Sequence, residues 1–241
     1  MKVLFFGTPQ IAIPFLEWLH KNHQVVGVVT KPDEPVGRGH KLTPPPPKIF
    51  SLANNLPCLQ PEGKWTDDKG LTLRNFGADV GVAVAYGRLM PESVFLAPRL
   101  GTINIHFSLL PKYRGAAPIQ WSLIKGEKIS GVTAFWIVKE LDAGPMCAQE
   151  EIPIDPTDNA LSLKKKLTHL GIRVLGKVMK DLEQGKVVKE NQMGEPTVSG
   201  MSNLVIHERT AKIKTSIQFL ILSSLYNLLQ TALDTSSATS R

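Results

Sequence analysis

Residues 1–30, MKVLFFGTPQIAIPFLEWLHKNHQVVGVVT, alternate between strand-like and helix-like segments. The run KVLFF is rich in residues that favour strands, and it ends at the turn GTPQ. The following segment, IAIPFLEWLHKNH, spaces its apolar residues as a helix does, and QVVGVVT again has the composition of a strand. A β-α-β opening predicts a mostly parallel sheet flanked by helices, so we expect an α/β, Rossmann-like fold.

The composition indicates a globular protein, and its basic charge is compatible with an anionic partner, although many basic proteins bind none. Of its 241 residues, 42% are hydrophobic and 20% are charged, and the net charge is +7. Nucleic acid is the commonest partner of such a basic protein.

The two cysteines, Cys58 and Cys147, predict neither a disulfide framework nor a zinc site. The dinucleotide, Walker A and Gly-x-Ser-x-Gly motifs are absent, and the apolar stretch Ile217–Leu229 is too short and too polar to span a bilayer.

The rest of the chain continues the α/β pattern as far as residue 197. Four more strands are expected, in the segments ADVGVAVAYG, GTINIHF, GVTAFWIV and GPMCAQEEIPI. A long helix follows, with Thr157 or Asp158 as its N-cap and Gly185 as its stop. Residues 31–48 are rich in Pro, Gly and basic residues, which predicts a surface loop that is neither helix nor central strand. Residues 198–241 form a separate tail, with an amphipathic helix over Ile217–Leu228 and a disordered Ser/Thr-rich end.

Two polar residues at the end of the strand GTINIHF are the first candidates for chemistry. Asn104 and His106 share one face of the strand, at the carboxyl edge where open parallel sheets bind ligands. An Asn amide can donate to a developing oxyanion and a His can transfer a proton, so the pair suits attack on a carbonyl carbon. Asp142, which follows the strand GVTAFWIV, is the best-placed carboxylate to orient His106. Purely structural roles stay open for all three, because Asn and His often satisfy strand ends and Asp is a common turn residue.

Several motifs in order resemble one enzyme family. The segment NIHFSLLPKYRGAAPIQWSLIKGE, followed by GVTAFWIVKELDAGP, is similar to the methionyl-tRNA formyltransferases, which are folate-dependent formyltransferases. LFFGTPQIAIPFLEWL, GRGHKLTPPPPK and AYGRLMPESVF match the same family in the same order. The resemblance covers roughly residues 1 to 197 and implies a formyltransferase catalytic domain there.

The resemblance implies formyl transfer from 10-formyltetrahydrofolate to the amino group of methionyl initiator tRNA, with no metal. It places Asn104, His106 and Asp142 on the family's catalytic trio. Folate-contacting positions would be Ser108, Leu109, Leu110 and Pro111, with Tyr86, Gly87 and Leu89 lining the pterin pocket. The basic loop of residues 31–48 would meet tRNA phosphates through Arg38, Lys41 and Lys48. The expected assembly is a monomer.

The chain also departs from the family pattern. Phe107 stands where the family has a small residue or Pro, and we expect it to crowd the folate site. The family's second domain, a small β-barrel, has no counterpart in residues 198–241. Alternatives therefore stay open: another amine acceptor, or a truncated isoform that only binds folate or tRNA. The cytoplasm is the expected compartment, with a mitochondrion or plastid as the alternative if an import leader is missing.

Overall fold

A computed structural model describes residues 1–36 and 41–200. Residues 1–198 form one compact unit, and a second unit begins at residue 199. The predicted tRNA contact Arg38 and the predicted amphipathic helix over residues 217–228 lie outside the described residues, as does the Ser/Thr-rich end. The proposed boundary at residue 197 stays a prediction.

The described residues contain short strands and helices that alternate along the chain. The strands are β1 (Lys2–Gly7), β2 (Gln24–Val29), β3 (Glu34–Val36), β4 (Lys41–Thr43), β5 (Cys58–Leu59), β6 (Val80–Val84), β7 (Thr102–His106), β8 (Arg114–Gly115), β9 (Ile129–Trp136), β10 (Met146–Pro153) and β11 (Val198–Ser199). The helices are α1 (Ile13–Asn22), α2 (Pro46–Ala53), α3 (Asp67–Arg74), α4 (Glu92–Phe95), α5 (Pro118–Ile124) and α6 (Ala160–Glu183), with a 3-10 turn at Gln10–Ala12.

Seven strands form the central sheet, in the order β10-β9-β7-β6-β1-β2-β5. The five strands from β5 to β7 are parallel to their neighbours, whereas β9 and β10 extend the sheet in antiparallel pairing. The predicted mostly parallel sheet flanked by helices is therefore confirmed. Strand β1 lies between β2 and β6, so the strand order reverses there, and ligands of such sheets bind beyond the carboxyl ends near that point.

Strand β1 shows why the sheet is buried on both faces. Val3 and Phe5 belong to a core on the face covered by α1 and α6, whereas Leu4 and Phe6 belong to a second core on the opposite face. All four side chains have no solvent exposure, because successive strand residues point to opposite faces and helices cover both. On the first face α6 approaches the sheet closely at Gly171, where an added Cβ would lie 2.8 Å from the Phe15 ring.

The N-terminus of α6 differs from the prediction. Asn159 is the N-cap: its side-chain oxygen accepts hydrogen bonds from the backbone N–H groups of Leu161 and Ser162, and the Ser162 hydroxyl accepts from the Asn159 N–H. Asp158 precedes the helix and has a different function, because its carboxylate accepts from the Asp155 N–H and pairs with Lys166 within α6. The prediction of Thr157 or Asp158 as the N-cap is therefore wrong. The reciprocal hydrogen bonds between Asn159 and Ser162 place the N-cap at Asn159.

The Pro-rich segment is more ordered than the predicted loop. Strands β3 and β4 pair as a small antiparallel hairpin outside the central sheet. Pro46 and Pro47 begin α2, where Pro is tolerated because the first helical N–H groups have no partner within the helix. The prediction that no helix begins before residue 48 is therefore wrong, while the exclusion of a central strand agrees with the structure.

Candidate active site

The carboxyl end of β7 carries Asn104 and His106 on one face. Asn104 is half-buried and pairs in register with Ala83 of β6 and Phe135 of β9, so the strand end is held from both sides. The neighbouring Ile103 and Ile105 point into the hydrophobic core. Within the described residues the Asn104 amide makes no hydrogen bond. Its polar group is therefore available to a ligand.

Both ring nitrogens of His106 face oxygen atoms. The Nε2 lies 2.8 Å from the Tyr113 carbonyl oxygen, and because a carbonyl only accepts, Nε2 carries the proton in this contact. The Nδ1 lies 3.7 Å from Asp142 Oδ2, which is longer than a hydrogen bond and within ion-pair range. The side chains of His106 and Asp142 are 7% and 13% exposed. The structure thus brings together the two residues that the sequence could only place at neighbouring strand ends.

Asp142 is held by its backbone as well as by its side chain. Its Oδ2 accepts a hydrogen bond of 2.7 Å from the Gly115 N–H. Its φ of 48° lies in the left-handed region, which costs free energy for a residue other than Gly. Gly115 itself has a φ of 99°, which only Gly adopts readily. The position of the Asp142 carboxylate therefore depends on the left-handed backbone of Asp142 and on the Gly115 N–H that donates to it.

Backbone strain concentrates around this site. Five non-glycine residues in the described part of the chain have positive φ, and four of them lie at or beside the site: Ala85, Tyr113, Ala117 and Asp142. The fifth, Asn55, lies after α2. Residues held in such conformations cluster at ligand-binding sites, because surrounding contacts must offset their cost. The distribution of strain points to this edge of the sheet as functional.

A cavity of about 550 Å³ opens at this edge, and Asn104, His106 and Asp142 all line it. The loops after β6 and after β9 contribute to its lining, together with residues 115–118. The predicted pterin-pocket residues Tyr86, Gly87 and Leu89 lie in the first loop and line the cavity. Its volume and its mostly apolar lining with a few convergent polar groups suit a small organic ligand.

Tyr86 anchors the first loop to the sheet. Its ring packs edge to face on Phe6, with ring centroids 5.8 Å apart, and burial raises the pKa of its phenol. Its carbonyl oxygen accepts a hydrogen bond of 2.8 Å from the Thr8 hydroxyl, at the end of β1. The loop after β6 is therefore held against the end of β1.

The four residues of the SLLP segment lie outside the cavity lining. The Ser108 hydroxyl donates to the Lys112 carbonyl, and the Leu110 N–H donates to Thr133 Oγ1 of β9. Leu109 packs so closely on Gly131 that a Cβ there would lie 2.3 Å from its side chain, and Pro111 is buried. These contacts fold the segment back against β9. The predicted folate contacts of Ser108, Leu109, Leu110 and Pro111 stay predictions.

Phe107 belongs to the core. Its ring packs edge to face on Phe15 of α1, with centroids 6.0 Å apart, and the residue is 6% exposed. It also borders the cavity, so its effect on a bound folate stays a prediction. The side chain follows the strand alternation that points Asn104 and His106 the other way.

The two described basic candidates differ in their surroundings. Lys48 Nζ donates to both carboxylate oxygens of Asp33, at 2.8 and 2.9 Å, and this contact lowers the Asp33 pKa. Lys41 is exposed at the start of β4 and has no ion pair within the described residues. Of the two ammonium groups, that of Lys41 is the one free to meet a phosphate.

Tyr113 and Gly115 were missed by sequence reasoning. Both contribute through backbone atoms, the Tyr113 carbonyl to His106 and the Gly115 N–H to Asp142. The signal in the sequence is the glycine in KYRG, directly after a constrained turn.

Among residues 1–36 and 41–200, no three His, Cys, Asp or Glu side chains cluster to hold a metal ion. No helix in those ranges is long and apolar enough to cross a membrane.

Comparison with known proteins gives this arrangement its context. A family model described as "Formyl transferase" matches residues 1–179. A methionyl-tRNA formyltransferase of Endomicrobium trichonymphae is 47% identical over 197 residues, covering 82% of this chain and 63% of that protein. Another, of Elusimicrobium minutum, is 49% identical over 189 residues, covering 78% of this chain and 56% of that protein. The chain therefore spans less than two thirds of the length of these relatives.

Solved structures share the fold at low sequence identity. A phosphoribosylglycinamide formyltransferase from Anaplasma phagocytophilum superposes with a TM-score of 0.65 at 22% identity, covering 82% of this chain and 97% of that chain. An N-formyltransferase from Helicobacter canadensis, in complex with folinic acid and dTDP-3-aminofucose, gives 0.64 at 21%, covering 84% and 71%. The match of the family model to most of the chain shows that the chain belongs to the formyl transferase family.

Proposed function

We propose that the chain transfers a formyl group from 10-formyltetrahydrofolate to the amino group of methionyl initiator tRNA. The observation that carries the proposal is the convergence of Asn104, His106 and Asp142 on one cavity at the carboxyl edge of the sheet. The acceptor follows from the relatives at 47% and 49% identity, which are named methionyl-tRNA formyltransferases. The proposal treats residues 1–197 as the catalytic domain and residues 198–241 as a divergent tail.

The reaction forms one bond and breaks another at the same carbon. The substrate amine attacks the formyl carbon, so a new N–C bond forms while the carbonyl electron pair moves onto oxygen. The bond from that carbon to the folate nitrogen then breaks, the amine releases a proton, and the folate nitrogen takes one up. The protein must therefore stabilise an oxyanion and move a proton.

The three side chains divide these tasks. The Asn104 amide, which has no hydrogen bond within the described residues, donates to the oxyanion. His106 exchanges the proton through Nε2, which would replace its contact with the Tyr113 carbonyl by one with the substrate, and Asp142 lies at the Nδ1 side of the ring. Both acid–base groups are mostly buried, and a site that excludes water strengthens their electrostatic interaction with the reacting atoms.

The cavity walls suit the folate. Tyr86, Gly87 and Leu89 would contact the pterin from one side, facing the loop that carries Asp142. Gly87 has a φ of 73°, in the left-handed region that favours glycine, so a larger residue at this rim would be strained. The N-formyltransferase from Helicobacter canadensis contains folinic acid, which supports a folate in this fold without assigning its contacts here. Ser108, Leu109, Leu110 and Pro111 would shape the end of β7 that faces the folate.

Basic residues would hold the tRNA. Lys41, and Arg38 beyond the described residues, would contact phosphates, and the net charge of +7 favours an anionic partner. Lys48 would contribute less, because its ammonium already pairs with Asp33. The proposal includes a cytoplasmic location and a monomeric state, which cell fractionation and size-exclusion chromatography test.

An acceptor panel tests the proposal. Formyl-labelled 10-formyltetrahydrofolate is incubated with the chain and methionyl-tRNA, glycinamide ribonucleotide or an amino-sugar nucleotide. We expect label on methionyl-tRNA, its loss with His106→Ala, and full activity with His169→Ala, because His169 is an exposed histidine on α6. Label on another amine would refute the acceptor, and folate binding without any transfer would refute the enzymatic function.

A further inference from the structure

A segment beyond the region matched by the family model contacts the residues that surround the candidate site. Residues 186–197, here called the strap, follow α6 and begin after residue 179, where the family match ends. The Val188 carbonyl accepts from Trp136 Nε1 of β9, and Glu190 exchanges two backbone hydrogen bonds with Met146 of β10. At its far end the Thr197 carbonyl accepts from the Arg114 N–H. The strap is therefore tied to both strands that precede and follow the Asp142 loop.

Gln192 is the side chain by which the strap holds that loop. Its Nε2 donates to the carbonyl oxygens of Asp142 and Gly144, each at 2.9 Å. Its Oε1 accepts from Arg114 Nε and Nη2, at 3.2 and 2.7 Å. Carbonyls only accept and guanidinium groups only donate, so the orientation of the amide follows from its partners. Both amide N–H groups and both oxygen lone pairs are used.

The two hydrogen bonds donated by Gln192 hold the backbone at Asp142 and at Gly144, two residues later. Asp142 has a φ of 48°, and two residues later Gly144 is so close to the sheet that a Cβ would lie 1.8 Å from the Trp136 carbonyl oxygen. Without Gln192 the carbonyls of residues 142 and 144 lose their shared donor, and the turn can relax toward an ordinary conformation. Relaxation would move the carboxylate, because within residues 1–36 and 41–200 its Oδ2 is held by the Gly115 N–H and by its ion-pair distance to His106 alone.

The strap also holds the second partner of His106. Thr197 Oγ1 accepts from the Tyr113 N–H at 2.8 Å, and the Tyr113 carbonyl accepts from His106 Nε2. Tyr113 has a φ of 61°, so it too needs outside contacts to keep its conformation. Both residues whose oxygens face the imidazole, Asp142 and Tyr113, therefore have a backbone group that is hydrogen-bonded to the strap.

We propose that Gln192 is a positioning residue: it acts through the Asp142 loop to hold the carboxylate against His106. The inference rests on the proposed function for its kinetic consequence, but the positioning itself concerns two side chains of the protein. A merely structural Gln192 would tie down the strap without changing the environment of the His106 ring.

The first test observes His106 directly. Nitrogen-15 NMR of the histidine rings reports the protonation and tautomer of His106 in the wild type, Gln192→Leu and Asp142→Asn. We expect Gln192→Leu to shift the His106 ring signals in the same direction as Asp142→Asn. The matched control is Gln184→Leu, because Gln184 is exposed after α6 and its side chain has no hydrogen bond within the described residues. His106 signals at their wild-type positions in Gln192→Leu would overturn the proposal.

A second variant keeps the test decisive if Gln192→Leu does not fold. Gln192→Glu keeps the acceptor for Arg114 and loses both donations to the loop, so we expect it to shift the His106 signals as well. Unchanged signals in this variant count against the proposal in the same way.

A kinetic cycle tests the consequence for transfer. We expect Gln192→Leu to lower kcat about tenfold, with KM for the formyl donor within twofold of the wild type. Added to Asp142→Asn, the same substitution should cause no further loss of kcat. An equal loss in that background would show that Gln192 acts elsewhere and would overturn the inference. A wild type without transfer would refute the proposed function instead, and the NMR result would still decide the role of Gln192.

Discussion

Replacing Asn104 with Ala separates catalysis from stability at one position. The Asn104 amide makes no hydrogen bond within the described residues, so its removal leaves no known protein partner unsatisfied. The side chain is only half-buried, so little packing is lost. The folded state should therefore tolerate the change, and the Tm should fall by no more than about 2 °C.

The loss should appear in the chemical step. Removing one donor to an oxyanion typically costs about 3 kcal/mol of transition-state stabilisation, which lowers kcat roughly 100- to 1,000-fold. Because the amide is expected to act on the oxyanion of the transition state, KM for the formyl donor should change little. The assay is formylation of methionyl-tRNA at saturating formyl donor, with a thermal melt of each protein.

The neighbouring Ile103 provides the matched control. Its side chain is fully buried on the opposite face of the strand and does not line the cavity. Ile103→Val should cost about 1 kcal/mol of stability, or roughly 2–4 °C in Tm, with kcat close to the wild type. The reasoning is refuted if Asn104→Ala keeps more than a third of the wild-type kcat, or if it loses activity only in proportion to unfolding.

Three further results are expected. Lys41→Ala should reduce the slope of log Kd for tRNA against log salt concentration by about one. Lys48→Ala should change this slope less, because the Lys48 ammonium already pairs with Asp33. Equal changes in the two variants would refute the different roles of the two lysines. The hydrogen bond from the Lys166 ammonium lowers the pKa of Asp158 to about 2, so the ionised Asp158 stabilises the fold fully above pH 4 and loses this effect toward pH 2. Asp158→Asn should therefore lower the Tm at pH 7 and not at pH 2. The same difference in Tm at both pH values would contradict this. Burial raises the pKa of Cys147 to about 12, so iodoacetamide at pH 8 should modify it at least 100-fold more slowly in the native protein than in urea, as peptide mass spectrometry would show.

The sequence predicted the parts of the fold that depend on local patterns. Apolar runs located β1, β6, β7 and β9, because strands buried on both faces are continuous apolar segments. Strand alternation placed Asn104 and His106 on one face, and the Gly-Pro break after LDA placed Asp142 at a neighbouring strand end. These positions follow from properties of neighbouring residues alone.

The remaining features depend on contacts that a local pattern does not contain. Several consecutive residues could cap α6, and the choice of Asn159 depends on Ser162 three residues later. The contribution of Tyr113 is a carbonyl oxygen, which every residue has, so its side chain carries no signal. Gln192 is separated from Asp142 by 50 residues, and only the path of the strap along β10 brings them together. The ion pair of Lys48 with Asp33 likewise joins residues 15 apart in the sequence.

The central claim is that this chain carries out formyl transfer with the side chains gathered at the end of β7. The most direct measurement is a single-turnover formylation of methionyl-tRNA by the purified chain, beside His106→Ala and with folate binding measured on both proteins. We expect transfer by the wild type, a loss of at least 100-fold in His106→Ala, and folate affinities within a few-fold of each other. Equal rates in the two proteins, or folate binding without transfer by the wild type, would contradict it.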